Sequence, residues 1–278
     1  MKNFNMQRFM DYARYDSTIN KTYYRNMSLM AVLTLMGLTL VGFIGRWGMY
    51  KMKMGGSMGD PTDATITIIV LVAAASILTT IFAGCTFHNL RTKQGRIFEL
   101  TLPASTLEKY VWHLMACIVG GHLVCCAGIV LSDVLNAILG VITYPLDHQF
   151  SLIAQMFHDT RMMSELSAKS GLDSVLYSLG LVTLCSTFLS LGFYVLGNSF
   201  KYRYNVILTY AVQQALSFVL YIILIIMGAM GWFKDFTPGN FLASMDYSAL
   251  VCFLLGILCF WYAYVRFGKA VVTSRMNK

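Results

Sequence analysis

The chain has 278 residues, 57% of them hydrophobic and 12% charged, with a mean hydropathy of +0.61. About a quarter of the residues in a soluble domain are charged, so this composition excludes an ordinary soluble protein and belongs in a bilayer. The formal charge of +8 arises from basic residues placed between apolar runs rather than on one soluble face, which excludes a nucleic-acid footprint and assigns the charge to membrane orientation.

Residues 1–26 carry Lys2, Arg8, Arg14, Lys21 and Arg25, with Phe4, Met6, Phe9, Met10 and Ala13 interleaved at roughly helical intervals. This pattern predicts a basic amphipathic arm resting on an anionic inner leaflet, and it is too polar for a cleavable signal peptide. Six apolar segments follow, at 28–45, 66–84, 110–131, 175–196, 206–231 and 247–265. Each is close to the ~20 residues that cross ~30 Å of hydrocarbon. The third has an open far end, because 134–142 stays mostly apolar beyond Asp133 and fits either a longer helix or an interfacial turn.

Most of the 21 Lys and Arg residues fall in the arm, in 85–109, in 198–205 and in the tail 266–278. By the positive-inside rule these segments and both termini are cytoplasmic. The longest outward stretch, 143–173, holds Phe150, Leu152, Ile153, Met156 and Phe157, and predicts a short helix against the outer interface. Residues 232–246 read as a short loop. The expected architecture is one all-α membrane domain spanning 1–278, with six transmembrane helices.

Motifs for chemistry are sparse. No Walker sequence occurs, so the chain has no nucleotide site of that kind. Gly55-Gly56-Ser57-Met58-Gly59 matches Gly-x-Ser-x-Gly but lacks the strand-to-helix setting of a nucleophile elbow. His-Glu-x-x-His is absent, and the seven cysteines lie in or beside apolar runs without any Cys-x-x-Cys. The expectation is a non-enzyme with no catalytic residue, metal or cofactor of its own.

Polar residues within spans are candidates for a translocation path. His113 and His122 lie in the third segment, and Asp133 follows it; His113 and Asp133 read as solvated helix ends. His122 and Asp133 share a helical face but stand about 16 Å apart along it. Gln213 and Gln214 in the fifth segment require hydrogen bonds, from a neighbouring helix or from a wet cavity. His122, Gln213 and Gln214 are therefore the candidate path residues.

The stretch 91–112 carries the strongest functional signal. Phe87, Leu90, Gln94 and Ile97 stand at helical spacing beside Arg91, Lys93 and Arg96, which predicts a short amphipathic helix at a water boundary. Pro103 disfavours helix at Leu102, and Ser105-Thr106-Leu107-Glu108 fits a capping box that restarts a helix at about Thr106.

Lys93-Gln94-Gly95-Arg96-Ile97, then Leu100-Thr101-Leu102-Pro103-Ala104-Ser105, then Glu108-Lys109-Tyr110 resembles the region before the third span of type-2 ATP-binding-cassette (ABC) exporter permeases. The six-span plan and amphipathic arm resemble that family across the whole chain. The resemblance implies a permease, as a homodimer or heterodimer in a bacterial inner membrane, that works with a separate ATPase subunit holding ATP and Mg. It implies that 85–109 is a cytoplasmic coupling elbow. Arg91, Lys93, Gly95, Arg96, Glu99 and Leu100 would be its docking residues, and Pro103, Ser105 and Glu108 would set the joint to the third span. The implied mechanism is alternating access driven by the ATPase, and an apolar lining suits a hydrophobic or amphipathic substrate. Two departures stand out: Lys93 and Gln94 replace the family's acidic residue before the glycine, and 232–246 leaves little room for re-entrant helices. A non-transporting membrane scaffold or sensor of permease-like fold, and a proton-coupled transporter using His113, His122 and Asp133, are the alternative readings.

Overall fold

A computed structural model of the chain describes residues 4–52, 65–91, 93–143, 151–170, 173–200, 205–229 and 238–272. Among them all regular structure is helical: α1 (Met6–Ile19), α2 (Lys21–Met52), α3 (Thr65–Gly84), α4 (Lys93–Thr101), α5 (Thr106–Leu114), α6 (Gly120–Thr143), α7 (Leu152–Ser170), α8 (Asp173–Asn198), α9 (Asn205–Ala229) and α10 (Pro238–Val272). A tight 3₁₀ turn at His88–Arg91 precedes α4, and a wide π-helical turn at Met115–Val119 joins α5 to α6. Among the described residues, five stretches are long and apolar enough to cross a membrane: Lys21–Gly48, Thr65–Gly84, Thr106–Thr143, Ser174–Asn198 and Ser244–Lys269. The chain is thus an α-helical, multi-pass membrane protein.

Several ends differ from the sequence expectation. The third span, whose far end the sequence leaves open between a longer helix and an interfacial turn, continues as helix to Thr143. Asp133 does not end it, because its carboxylate accepts from the Ser151 hydroxyl (2.7 Å) and the Leu152 N–H (2.6 Å). Asp133 is therefore a cap for α7, not a solvated helix end, and α7 fills the stretch between 143 and 173 in which a short helix was expected. Residues 238–246, expected as loop, are the start of α10, with Pro238 in the first turn, where its fixed φ suits a helix and its missing N–H costs nothing. The Gly-x-Ser-x-Gly stretch at 55–59 lies outside the described residues.

The chain divides into two compact units. The second unit (Arg14–Thr79 and Ile118–Lys169) is built on α2, α3, α6 and α7. Its core gathers Leu35, Leu71 and Leu152, with Leu38, Ile68, Leu78 and Ile129 packed around them. Gly128 lets α6 close on α2, since a Cβ there would lie 2.7 Å from Leu35 Cδ1. Arg46 is buried and donates to Asn136 Oδ1 at 2.6 Å, which satisfies part of a cation that would be costly in hydrocarbon.

The first unit (Met1–Ala13, Thr80–Cys117 and Ser170–Lys278) is dominated by α10 lying along α8. Small residues permit this contact: a Cβ on Gly256 would meet Phe188 Cδ1 at 2.6 Å, and one on Gly192 the Gly256 carbonyl at 3.1 Å. Phe188 is itself wedged between Phe253 and Phe260, with ring centroids 5.3 and 5.2 Å away. This unit carries the elbow.

Candidate functional site

The elbow is assembled by local rules first. The end of α3 tightens at Cys85 and Thr86, whose N–H groups reach the Phe82 and Ala83 carbonyls. The 3₁₀ turn then tucks Phe87 and Leu90 inward, and both are buried. The expected apolar stripe breaks there: Gln94 and Ile97 face outward on α4, because the 3₁₀ turn and the separate start of α4 at Lys93 interrupt the helical period. The restart of the chain follows expectation. Ser105 is the N-cap of α5, its hydroxyl accepting from the Glu108 N–H (3.3 Å) while Glu108 Oε2 accepts from the Ser105 N–H (2.7 Å).

Glu108 does more than cap. Its fully buried carboxylate also accepts from the Asn5 N–H (2.9 Å) and from Arg8 through Nε (3.1 Å) and Nη2 (2.7 Å). The amino-terminal arm is thereby clamped onto the first turn of α5. Phe9, Tyr12 and Ala13 are buried, whereas Met6 and Met10 stay exposed, so the Phe9 and Ala13 side of α1 is turned into protein and not offered to lipid. Phe9 sets its ring edge-on to Trp112, with centroids 6.2 Å apart.

Glu99 lies at the centre of a second, fully buried polar cluster. The Tyr12 hydroxyl stands 3.0 and 2.9 Å from its two oxygens, Asn89 Nδ2 donates to Oε1 at 3.1 Å, and His113 Nε2 lies 3.1 Å from both Oε1 and the Tyr12 hydroxyl. A carboxylate only accepts, so a hydrogen bond from His113 to Glu99 requires a proton on Nε2. Burial alone would raise the Glu99 pKa, but the bonds and charge of His113, with Asn89 and Tyr12, outweigh it and hold the carboxyl below its ordinary range. Lys109, also buried, donates to the carbonyls of Glu99 and Leu102, the latter at 3.1 Å, and so pins the end of α4 and the Pro103 turn to α5.

An aromatic floor supports this cluster. Phe87 stacks on Tyr110 (5.7 Å between centroids), lies 5.0 Å from Phe267 and stands nearly perpendicular to the His113 ring, 6.1 Å away. The Tyr110 hydroxyl donates to the Phe260 carbonyl at 2.6 Å, which ties α5 to α10. The elbow is thus joined to the arm, to the third span and to the last helix.

Of the expected docking residues, Gly95 is half-buried in α4; of the expected joint residues, Pro103 is exposed and Ser105 is half-buried at its cap. Glu99 and Glu108 are inside, so they can act only through the joint and not as outer contacts. The side chains of Arg91, Lys93, Arg96 and Leu100 lie outside the described ones. His113, expected as a solvated helix end, is buried at 1% exposure and belongs to the Glu99 cluster. Tyr12, Asn89 and Lys109 were not anticipated. The signal for Tyr12 was its place three residues after Phe9, on the buried side of the arm, but no local spacing pairs residue 12 with residue 99 or 113.

The expected path residues are divided between the two units. His122 is exposed in the second unit and its Nδ1 lies 2.7 Å from the Ile118 carbonyl of its own helix. Gln213, in the first unit, donates to Ser190 Oγ at 2.7 Å, an interhelical bond between α9 and α8, while Gln214 is exposed. Comparisons with protein-family models, with curated proteins and with solved structures find no match.

Proposed function

We propose that this chain is the membrane permease subunit of an ABC exporter, with six spans and both termini cytoplasmic in a bacterial inner membrane. α9, 25 residues long, supplies the sixth span. The permease works as a homodimer or heterodimer with a separate ATPase that binds ATP and Mg, and moves a hydrophobic or amphipathic substrate by alternating access. The observation that supports this reading best is the joint. A short helix between two spans is locked by Glu99, Glu108 and Lys109 to the arm and the third span, so a push on α4 would move those elements as one body. The elbow sequence itself supplies the likeness to exporter permeases.

Co-expression with candidate Walker-motif ATPases, sought in the neighbouring reading frames, tests the proposal. A stable complex whose ATP hydrolysis depends on the permease is expected, and Gly95→Trp and Arg96→Glu should break it. Absence of an ATPase partner, or binding indifferent to both substitutions, would overturn the reading. A scaffold or sensor without transport is the second reading. It is favoured by the structural use of polar groups in the spans: Gln213 with Ser190, Arg46 with Asn136, and Asp133 with Ser151. A complex that forms but moves no hydrophobic dye under ATP would favour it. The proton-coupled reading has least support, because His122 and Asp133 each have a bond of their own.

A further inference from the structure

A cleft of about 230 Å³ opens between α8 and α9, lined by Phe193, Leu196, Gly197, Phe200, Leu208, Thr209 and Val212. Its lining is almost wholly apolar. Thr209 is the one polar side chain, and it is buried at the closest approach of the two helices, where a Cβ on Gly197 would overlap its hydroxyl. Leu208 and Val212 are exposed, so the cleft is open on that side to whatever surrounds the helices. In a membrane-spanning helix pair that surrounding is acyl chain.

One end of the cleft is charged. The guanidinium of Arg266, on the last turns of α10, sits 4.4 Å from the centre of the Phe200 ring. Stacking on an aromatic face holds the group in place and leaves its edge donors available for a planar or tetrahedral anion. Arg266 is half-buried and meets no carboxylate among the described residues. An apolar slot that ends in a guanidinium held on an aromatic face matches a molecule with a hydrocarbon tail and an anionic head.

We propose that this cleft binds an anionic phospholipid, with an acyl chain against Phe193, Leu196, Leu208 and Val212 and the phosphate on Arg266. The assignment rests on the membrane character of the chain and on α9 as its proposed sixth span, and is independent of any ATPase partner. Anionic lipid is also the component that a basic group at a helix end attracts from the leaflet surface, at about 1 kcal/mol per residue.

Native mass spectrometry of the purified full chain in detergent, titrated with phosphatidylglycerol or phosphatidylcholine, tests this. One saturable phosphatidylglycerol adduct is expected, bound about fivefold more tightly than phosphatidylcholine. Arg266→Gln should remove that preference, and Arg266→Lys should keep most of it. Val212→Trp, at an exposed position that tolerates the larger ring, should fill the slot and lose both lipids while the melting temperature stays near that of the parent. Equal binding of the two lipids, a preference untouched by Arg266→Gln, or adducts that persist in Val212→Trp would each overturn the proposal. So would a lipid-free dimer in which a second copy protects the cleft.

Discussion

Glu108 accepts from two backbone N–H groups and one guanidinium while buried, so truncating it strands several donors at once. Glu108→Ala should cost about 2–4 kcal/mol of stability, and Arg8→Ala, whose side chain is 29% exposed, no more than about 1 kcal/mol. Thermal unfolding in detergent reads both. Glu99 makes a pH prediction. Its folded pKa lies below the ordinary 4.5, so its stabilising effect is complete above that value and is lost as pH falls below it toward the folded value. The difference in melting temperature between the parent and Glu99→Gln should therefore be constant from about pH 7 to about pH 5 and shrink as the pH is lowered further. At this scale the sequence was informative only where the partners are close along the chain. Ser105 and Glu108 stand three residues apart and announce their capping box, whereas Asn5, Arg8 and Tyr12 find partners 87 to 103 positions away, at no spacing that a helical pattern encodes.

Element boundaries show the same division. Spans declare themselves by sustained hydropathy, because every lipid-facing and core-facing position must be apolar. A helix end is subtler. Asp133 reads as a stop when its charge is considered alone, yet Ser151 and Leu152 satisfy it and α6 runs on. The apolar period through Phe87, Leu90 and Ile97 was legible as a pattern but not as a break, since a 3₁₀ turn changes the phase without any unusual residue at that point. Helix contacts also make a direct prediction. Gly256→Val should destabilise by about 1–3 kcal/mol, because Phe188 is held between Phe253 and Phe260 and cannot step aside. Gly37→Ala in α2, where nothing lies within 4 Å, should instead be neutral or stabilising by up to about 1 kcal/mol. Thermal midpoints of the two variants should move in opposite directions or leave the second unchanged.

For the whole molecule, the proposed orientation predicts that reporter fusions at residues 1 and 278 both give the cytoplasmic signal, as an even number of crossings requires; opposite signals would remove α9 or another helix from the set of spans. The membrane class was legible from composition, and the joint's long-range wiring was not. That wiring has a consequence for biogenesis. The Tyr12 hydroxyl reaches His113, 101 positions later, and Arg8 reaches Glu108, 100 positions later. At ordinary translation rates of ~5–20 residues per second, the arm leaves the ribosome roughly 5–20 s before its receptors exist. During that interval Phe9 and Tyr12 have no protein surface to cover them, and the nearest apolar phase is the lipid headgroup boundary. A nascent chain arrested before Thr106 should therefore carry its amino-terminal helix as a protease-sensitive, lipid-adsorbed segment, and protection of that segment should appear as a discrete step once α5 has emerged.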